Sequence, residues 1–414
     1  MSKLEELIKE YCPNGVEYIK LKDVLLSVKT GLNPRKNFKL NIDGAKNYYV
    51  TVKEITTGKI VFSDKTDRIT EEARIIIQNR SKLEYGDVLL SGIGTIGKVA
   101  LVDIPTKNWN CSESVFLLKP KKNLIEPKFL MYFLSSKNVQ KQWESQSVGS
   151  TLRGIRMESV NELQIPLPAL PVQREIVRIL DSFTLYSAEL TAELTAELTA
   201  RRKQYEFYRD KLLTFEQPEV KQIPLSKLAK FTYGYTDVAK DVGDARFIRI
   251  TDINEDGCLS SGNCKYITLN DESKKYLLKE GDLLFARTGA TYGKTLYVPN
   301  NEPAVYASFL IKIDLDNSVI LNRYYWHFSK SNLYWKQADK YVSKAGQQQF
   351  NTNAVSKVIV PVPPMDVQER IVKVLDNFDA ICSDLGIGLP AEIEKRQKQY
   401  EYYRDKLLTF EEAA

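Results

Sequence analysis

The chain has 414 residues, 43% of them hydrophobic and 10% aromatic, with 59 Lys and Arg against 53 Asp and Glu for a formal net charge of +6. That is enough apolar material for roughly two to four domains with real cores. No apolar run approaches about 18 residues and the first fifteen (MSKLEELIKEYCPNG) lack an apolar core, so neither secretion nor membrane insertion is indicated and a cytoplasmic location is expected. The five cysteines, Cys12, Cys111, Cys258, Cys264 and Cys382, are scattered and never spaced C-x-x-C, which argues against a disulfide framework or a zinc knuckle.

In chain order, the first stretch reads as short alternating strands at 59–62, 87–90 and 115–118, interrupted by a helical pattern at 127–135. Between them lies Gly92-Ile93-Gly94-Thr95-Ile96-Gly97-Lys98, which satisfies a dinucleotide pattern and most of a phosphate-loop pattern. Val99 follows where a phosphate loop needs Ser or Thr, and 99–104 reads as a strand where both patterns need a helix. A glycine-rich hairpin that brings Lys98 near a phosphate fits better. Ser150, Thr151, Arg153 and Arg156 then occupy a loop-like stretch of polar residue types suited to base edges, and Thr30 to Lys36, with Arg35 and Lys36, to phosphate.

A proline-punctuated strand (IPLPALP, 165–171) ends this region, since proline cannot donate to a sheet. A helix is predicted over 172–215, about 65 Å long, with Ile176, Ile179, Leu180 and Phe183 at i, i+3, i+4, i+7 spacing. It carries three Glu-Leu-Thr-Ala units (TAEL when read in frame) in 189–200, whose Leu190, Leu194 and Leu198 drift only about 40° per unit, while the glutamates stay wet.

The chain then starts again. Residues 203–216 (KQYEFYRDKLLTFE) return as 398–411 (KQYEYYRDKLLTFE), with Tyr402 for Phe207, and Gly86 and Gly281, Pro166 and Pro361, and Tyr205 and Tyr400 all lie 195 residues apart. The second copy has strands at 246–250 and 309–313, a helical pattern at 322–328, and a glycine segment (Thr288 to Thr295) that gains Lys294-Thr295 but loses the first glycine. Neither copy therefore completes a nucleotide signature. The polar loop of this copy holds Gln347, Gln348, Gln349 and Asn351, and Arg287 is a phosphate candidate. After a second proline strand (VPVPP, 360–364), Asp366 and Glu369 resemble a capping box, and Ile371, Val374, Leu375 and Phe378 form the matching stripe. Gly386 to Pro390 should break this second helix before it resumes near Ala391.

The expected organisation is thus α+β. Globular domains at 1–163 and 217–358 are held apart by two long antiparallel, coiled-coil-like helices at 164–216 and 359–414, with pseudo-two-fold symmetry. Ile176, Leu180, Phe183, Leu190, Leu194, Leu198, Tyr205, Tyr208, Ile371, Leu375, Phe378, Tyr400 and Tyr403 are the candidates for the helix-pairing and partner face. The net charges of the four segments in chain order are +7, −1, +4 and −4, so a polyanion should prefer the globular domains. The single histidine, His327, lies among aromatic residues and excludes duplicated His-based triads or zinc sites; no catalytic residue or metal site is expected.

The TAEL units, the duplicated KQYE(F/Y)YRDKLLTFE segments and the Gln173-x-x-Ile176-Val177 and Gln368-x-x-Ile371-Val372 helix starts together resemble the specificity subunit of type I restriction–modification enzymes, in its TAEL-repeat subgroup, over essentially the whole chain. The resemblance implies two target recognition domains, each reading half of a bipartite site in double-stranded DNA, and conserved helices docking two methyltransferase subunits. It also implies two restriction subunits, with S-adenosylmethionine, ATP and Mg carried by the partners and none by this chain. The alternative is a non-DNA interaction scaffold built on the same paired helices.

Overall fold

The computed structural model describes residues 2–56, 58–147, 154–216, 220–254, 256–260, 262–343, 348–383 and 388–413. In the first globular region a four-stranded antiparallel sheet has the order Leu25–Thr30, Val115–Pro120, Val88–Ser91, Val99–Leu101. The second copy builds the same sheet from Ala229–Tyr233, Leu310–Leu315, Leu283–Ala286 and Thr295–Tyr297. Each copy adds a three-stranded mixed sheet. Asn47–Val50 pairs parallel with Trp109–Cys111 and antiparallel with Arg68–Ile69, and Ala245–Ile248 does the same with Ala304–Tyr306 and Tyr266–Ile267. The strands read from alternation are present with shifted ends: the expected 59–62 shrinks to Lys59–Ile60, and 246–250 gives way at Ile250 to a 3-10 turn, Ile250–Asp252.

First and last strands meet in each region, Tyr18–Lys20 against Gln164–Pro166 and Lys221–Pro224 against Ile359–Val362, which places the helix start beside the domain it follows. The long helix, α1, runs unbroken over Leu170–Leu212. It begins two residues earlier than the proline pattern suggests, because Pro171 occupies the first turn, where a missing N–H costs nothing. The second helical segment is divided into α2 (Met365–Ser383) and α3 (Leu389–Leu407), with Pro390 in the first turn of α3. Asp366 is not a helix cap. It lies within the first turn of α2, and its carboxylate accepts from Arg370 Nη2 at 2.8 Å.

Two compact units emerge, Met1–Thr191 with Glu394–Ala414, and Ala192–Ile393. Each contains one globular region and parts of both helical segments. In the first, Ile176, Leu180 and Leu408 belong to the same core as Phe129, Trp143 and the sheet; in the second, Tyr205, Leu213, Ile371 and Leu375 share a core with Trp326, Phe328 and Phe350. The apolar stripe is therefore divided between helix pairing and the globular domain. Helix-to-helix contact is made further out, by Phe183 with Tyr403 and by Tyr208 with Phe378.

The two helix-start glutamines have a physical reason. Gln173, fully buried, accepts from Glu126 N–H at 2.8 Å and donates to the carbonyls of Leu124 and Pro168. Gln368 does the same with Leu321 N–H and the carbonyls of Val319 and Pro363. An amide is the side chain that both accepts and donates here. Gln368→Leu keeps the volume but leaves a backbone donor and two acceptors unsatisfied, and is expected to cost about 2–4 kcal/mol of unfolding free energy in a denaturant titration.

Candidate nucleic-acid interface

In the second copy, the end of the central strand, the glycine turn and the polar loop converge. Phe350 N–H donates to Arg287 C=O at 2.7 Å, Gly289 N–H donates to Gln348 C=O at 3.1 Å, and Thr288 bridges to Gln349. The first copy repeats this 195 residues earlier: Ile155 N–H donates to Gly92 C=O at 2.8 Å and Ile93 bridges to Gly154. One backbone frame thus presents Gly92 and Gly154 in one copy, and Arg287 and Gln349 in the other.

The side chains differ in what they are free to do. Gln348 and Gln349 are exposed. Asn351 is committed locally, its Oδ1 accepting from Ala354 N–H at 3.1 Å as the cap of the short helix Thr352–Val355. Arg35 and Lys36 are exposed on the one-turn helix Pro34–Asn37, capped by Asn33. Arg35 shares an open cleft of about 980 Å³ with Ile93, Gly94, Asp67 and Glu113, so the region around residue 35 and the glycine turn form one surface. Arg156 is exposed beside Gln142, Gln146 and Glu158. Ser150, Thr151, Arg153 and Gln347 lie outside the described residues.

The two glycine-segment lysines have different surroundings. Lys98 Nζ donates to Val52 C=O at 3.0 Å, tying the hairpin to its own domain. Lys294 lines a cleft of about 320 Å³ with Arg202, Tyr205, Lys330, Trp335 and Asp379, on the side of the domain that meets the helices. Gly97 of the same segment has a local structural role. Gly97, at φ +81°, accepts at its carbonyl from Gln140 Nε2, and a Cβ at Gly97 would lie 2.2 Å from Gln140 Oε1, so this glycine serves packing against the helix Lys137–Gln146.

The helical candidates separate by exposure. Ile176, Leu180, Tyr205, Ile371 and Leu375 are buried in the unit cores; Leu190, Leu194, Leu198, Phe378 and Tyr400 are half-buried; Phe183, Tyr208 and Tyr403 are exposed. Sequence spacing missed the most exposed apolar positions of the helices, Leu185, Tyr186, Phe207 and Tyr402, because they lie off the i, i+3, i+4 stripe.

His327, fully buried, bridges helix and domain. Its Nε2 lies 2.8 Å from Asp376 Oδ1 and its Nδ1 lies 3.0 Å from Tyr205 Oη. With Nε2–H donating to the carboxylate, Nδ1 accepts from the tyrosine hydroxyl. Burial lowers its pKa from 6.5 to about 4, against the opposing pull of Asp376, so the contact is a hydrogen bond at neutral pH and not an ion pair. Tyr132 holds the matching place in the first copy and donates to Asp181 at 2.8 Å. Because the unfolded chain binds this proton more readily, stability is expected to fall by about 3 kcal/mol as pH drops from about 6.5 to about 4. His327→Tyr should remove that part of the slope in pH-dependent unfolding.

A family model described as the type I restriction modification DNA specificity domain matches twice, at 13–200 and 218–395, following the duplicated frame. The chain belongs to this family. The EcoR124I/EcoR124II specificity subunit of Escherichia coli is 33% identical over 284 residues, 61% of this chain and 64% of that one. The EcoprrI specificity subunit of the same organism is 27% identical over 414 residues, 93% of each. A solved chain from work on complex assembly and conformational transition of the type I R-M system superposes with a TM-score of 0.67 at 18% identity, covering 96% of this chain and 98% of that one. At that identity it shows a shared fold. The scaffold alternative finds no support among these relatives. Among the described residues, no helix is long and apolar enough to cross a membrane, and no three His, Cys, Asp or Glu side chains group as metal ligands.

Proposed function

We propose that this specificity subunit reads a bipartite DNA site, one half with each globular domain, through the surface where the glycine turn and polar loop meet. The supporting observation is that one backbone frame is built twice with different residues, half-buried Arg287 and exposed Gln348 and Gln349 in one copy and glycines at 92 and 154 in the other. Two half-site sequences follow naturally from that difference. Arg35, Lys36 and Arg156, all exposed, suit phosphate or base contacts in the first domain, while Lys98 gives one donor to Val52 C=O.

The helices carry the partner surface. Phe183, Leu185, Tyr186 and Tyr403 in the first unit, and Phe207 and Tyr208 in the second, are large apolar or aromatic side chains exposed on helices, suited to bury against another protein. Two methyltransferase subunits occupy these faces, and restriction subunits join the assembly. Adenine methylation with S-adenosylmethionine and ATP-driven cleavage with Mg belong to those partners, and this chain supplies the address.

The test is co-expression with the methyltransferase subunit and mapping of methylated adenines by single-molecule sequencing. One gapped motif that vanishes without this chain supports the reading. A stable complex that leaves DNA unmethylated refutes it.

A further inference from the structure

We infer that Arg287 is a guanine-reading side chain, so that the half-site of the second domain contains a guanine recognised through its major-groove edge; this rests on the proposal that the domain face reads DNA. The guanidinium carbon lies 5.5 Å from the Tyr233 ring centroid and 5.3 Å from that of Phe309, and both rings are exposed, at 43% and 51%. Aromatic faces hold a planar cation without consuming its donors. Nε donates to Ser308 C=O at 3.1 Å, which fixes one edge of the fork. Among the described residues neither terminal nitrogen has an acceptor, and no carboxylate lies within ion-pair distance. Arg74, Arg178, Arg249 and Arg323, by contrast, are each paired with an acid.

A tethered guanidinium with its two terminal nitrogens open matches the O6 and N7 acceptors of guanine. A phosphate would accept the same fork, and the comparison of copies decides between them. A phosphate clamp serves either half-site equally well, so both copies would profit from it. The first copy has Gly92 here, and Phe116 fills the space: a Cβ on Gly92 would lie 2.2 Å from its ring. Residue 311, the counterpart of Phe116, is Ile, which leaves room for the arginine. The cation therefore belongs to what distinguishes the two half-sites, and exposed Gln348 and Gln349 accompany it.

Arg287→Lys and Arg287→Ala variants of the full chain, each co-expressed with the methyltransferase subunit, would be compared by single-molecule methylation mapping. Copurification and thermal melting verify assembly. Both variants should lose about tenfold or more of the preference for guanine at one position of one half-site, leaving the other half-site and the spacer intact. An unchanged motif overturns the assignment, as does a uniform loss of methylation across sequences that Lys rescues, the signature of a phosphate contact. If the unmodified chain directs no sequence-specific methylation, the underlying DNA-reading proposal fails, and the arginine assignment fails with it.

Discussion

Deleting one repeat unit, Thr195 to Leu198, is expected to shorten the unspecified spacer of the methylation motif by about one base pair, at most two, and to leave both half-sites unchanged. The unit lies inside the unbroken helix α1, whose first residues pack in one compact unit and whose last pack in the other. Four residues account for about 6 Å of helix, against about 3.4 Å per base pair along DNA. The deletion also turns the downstream part of the helix by only about 40°, so half-buried Leu190 and Leu194 keep their side and exposed Glu189 and Glu193 stay in water. Deleting two residues rotates the downstream part by about 200° and should abolish methylation, because Tyr205 and Leu213 could not then reach the second core. Motif mapping of the two deletions separates a ruler from a tether. If both gave the original spacer, helix length would have no part in setting the distance, and if the four-residue deletion altered the bases read, the ruler would be refuted.

Much of this architecture is legible in the sequence because duplication repeats each signal. The TAEL spacing, the stripe from Ile176 to Phe183 and the proline strands identify helix and strand types from periodicity alone. The reading surface is less legible. Tyr233 and Arg287 are far apart in sequence and meet only through the strand order of the four-stranded sheet, which alternation does not specify. Asn351 looks like a base reader by residue type, but its side chain caps a helix too short to show a period. Lys98 likewise has one of its three donors already given to Val52 C=O, which its sequence neighbours do not announce. Polar residues in loops advertise hydrogen-bonding capacity, and only the fold decides which part of it is already used.

A chain ending after Phe215 is expected to assemble as a homodimer and, with the methyltransferase subunit, to direct methylation of a symmetric motif containing the first half-site twice. The duplicated tails explain why. Asp210 accepts from Asn332 N–H at 3.1 Å and from its side-chain amide at 2.6 Å at the start of the helix Asn332–Tyr341. Asp405, its repeat, accepts from Lys137 N–H at the start of the helix Lys137–Gln146. A carboxylate at a helix N-terminus satisfies an otherwise unpaired donor and complements the dipole. Each domain thus takes its carboxylate from the other copy's tail. Within the first unit the C-terminal tail is also held to the domain by backbone, Val16 N–H donating to Glu411 C=O and Ala413 N–H to Val16 C=O. In the shortened chain, α1 still touches its own domain at Thr184, beside Tyr132, and Asp210 lies about 40 Å further along a continuous helix, too far to turn back to Lys137 of the same molecule. The corresponding site on a second molecule is within reach, and two such contacts close a two-fold dimer. Light scattering should give twice the chain mass, and Asp210→Ala in the shortened chain should weaken dimerisation by about tenfold or more. A monomer that still folds cooperatively and directs methylation would show that the exchanged tail is dispensable.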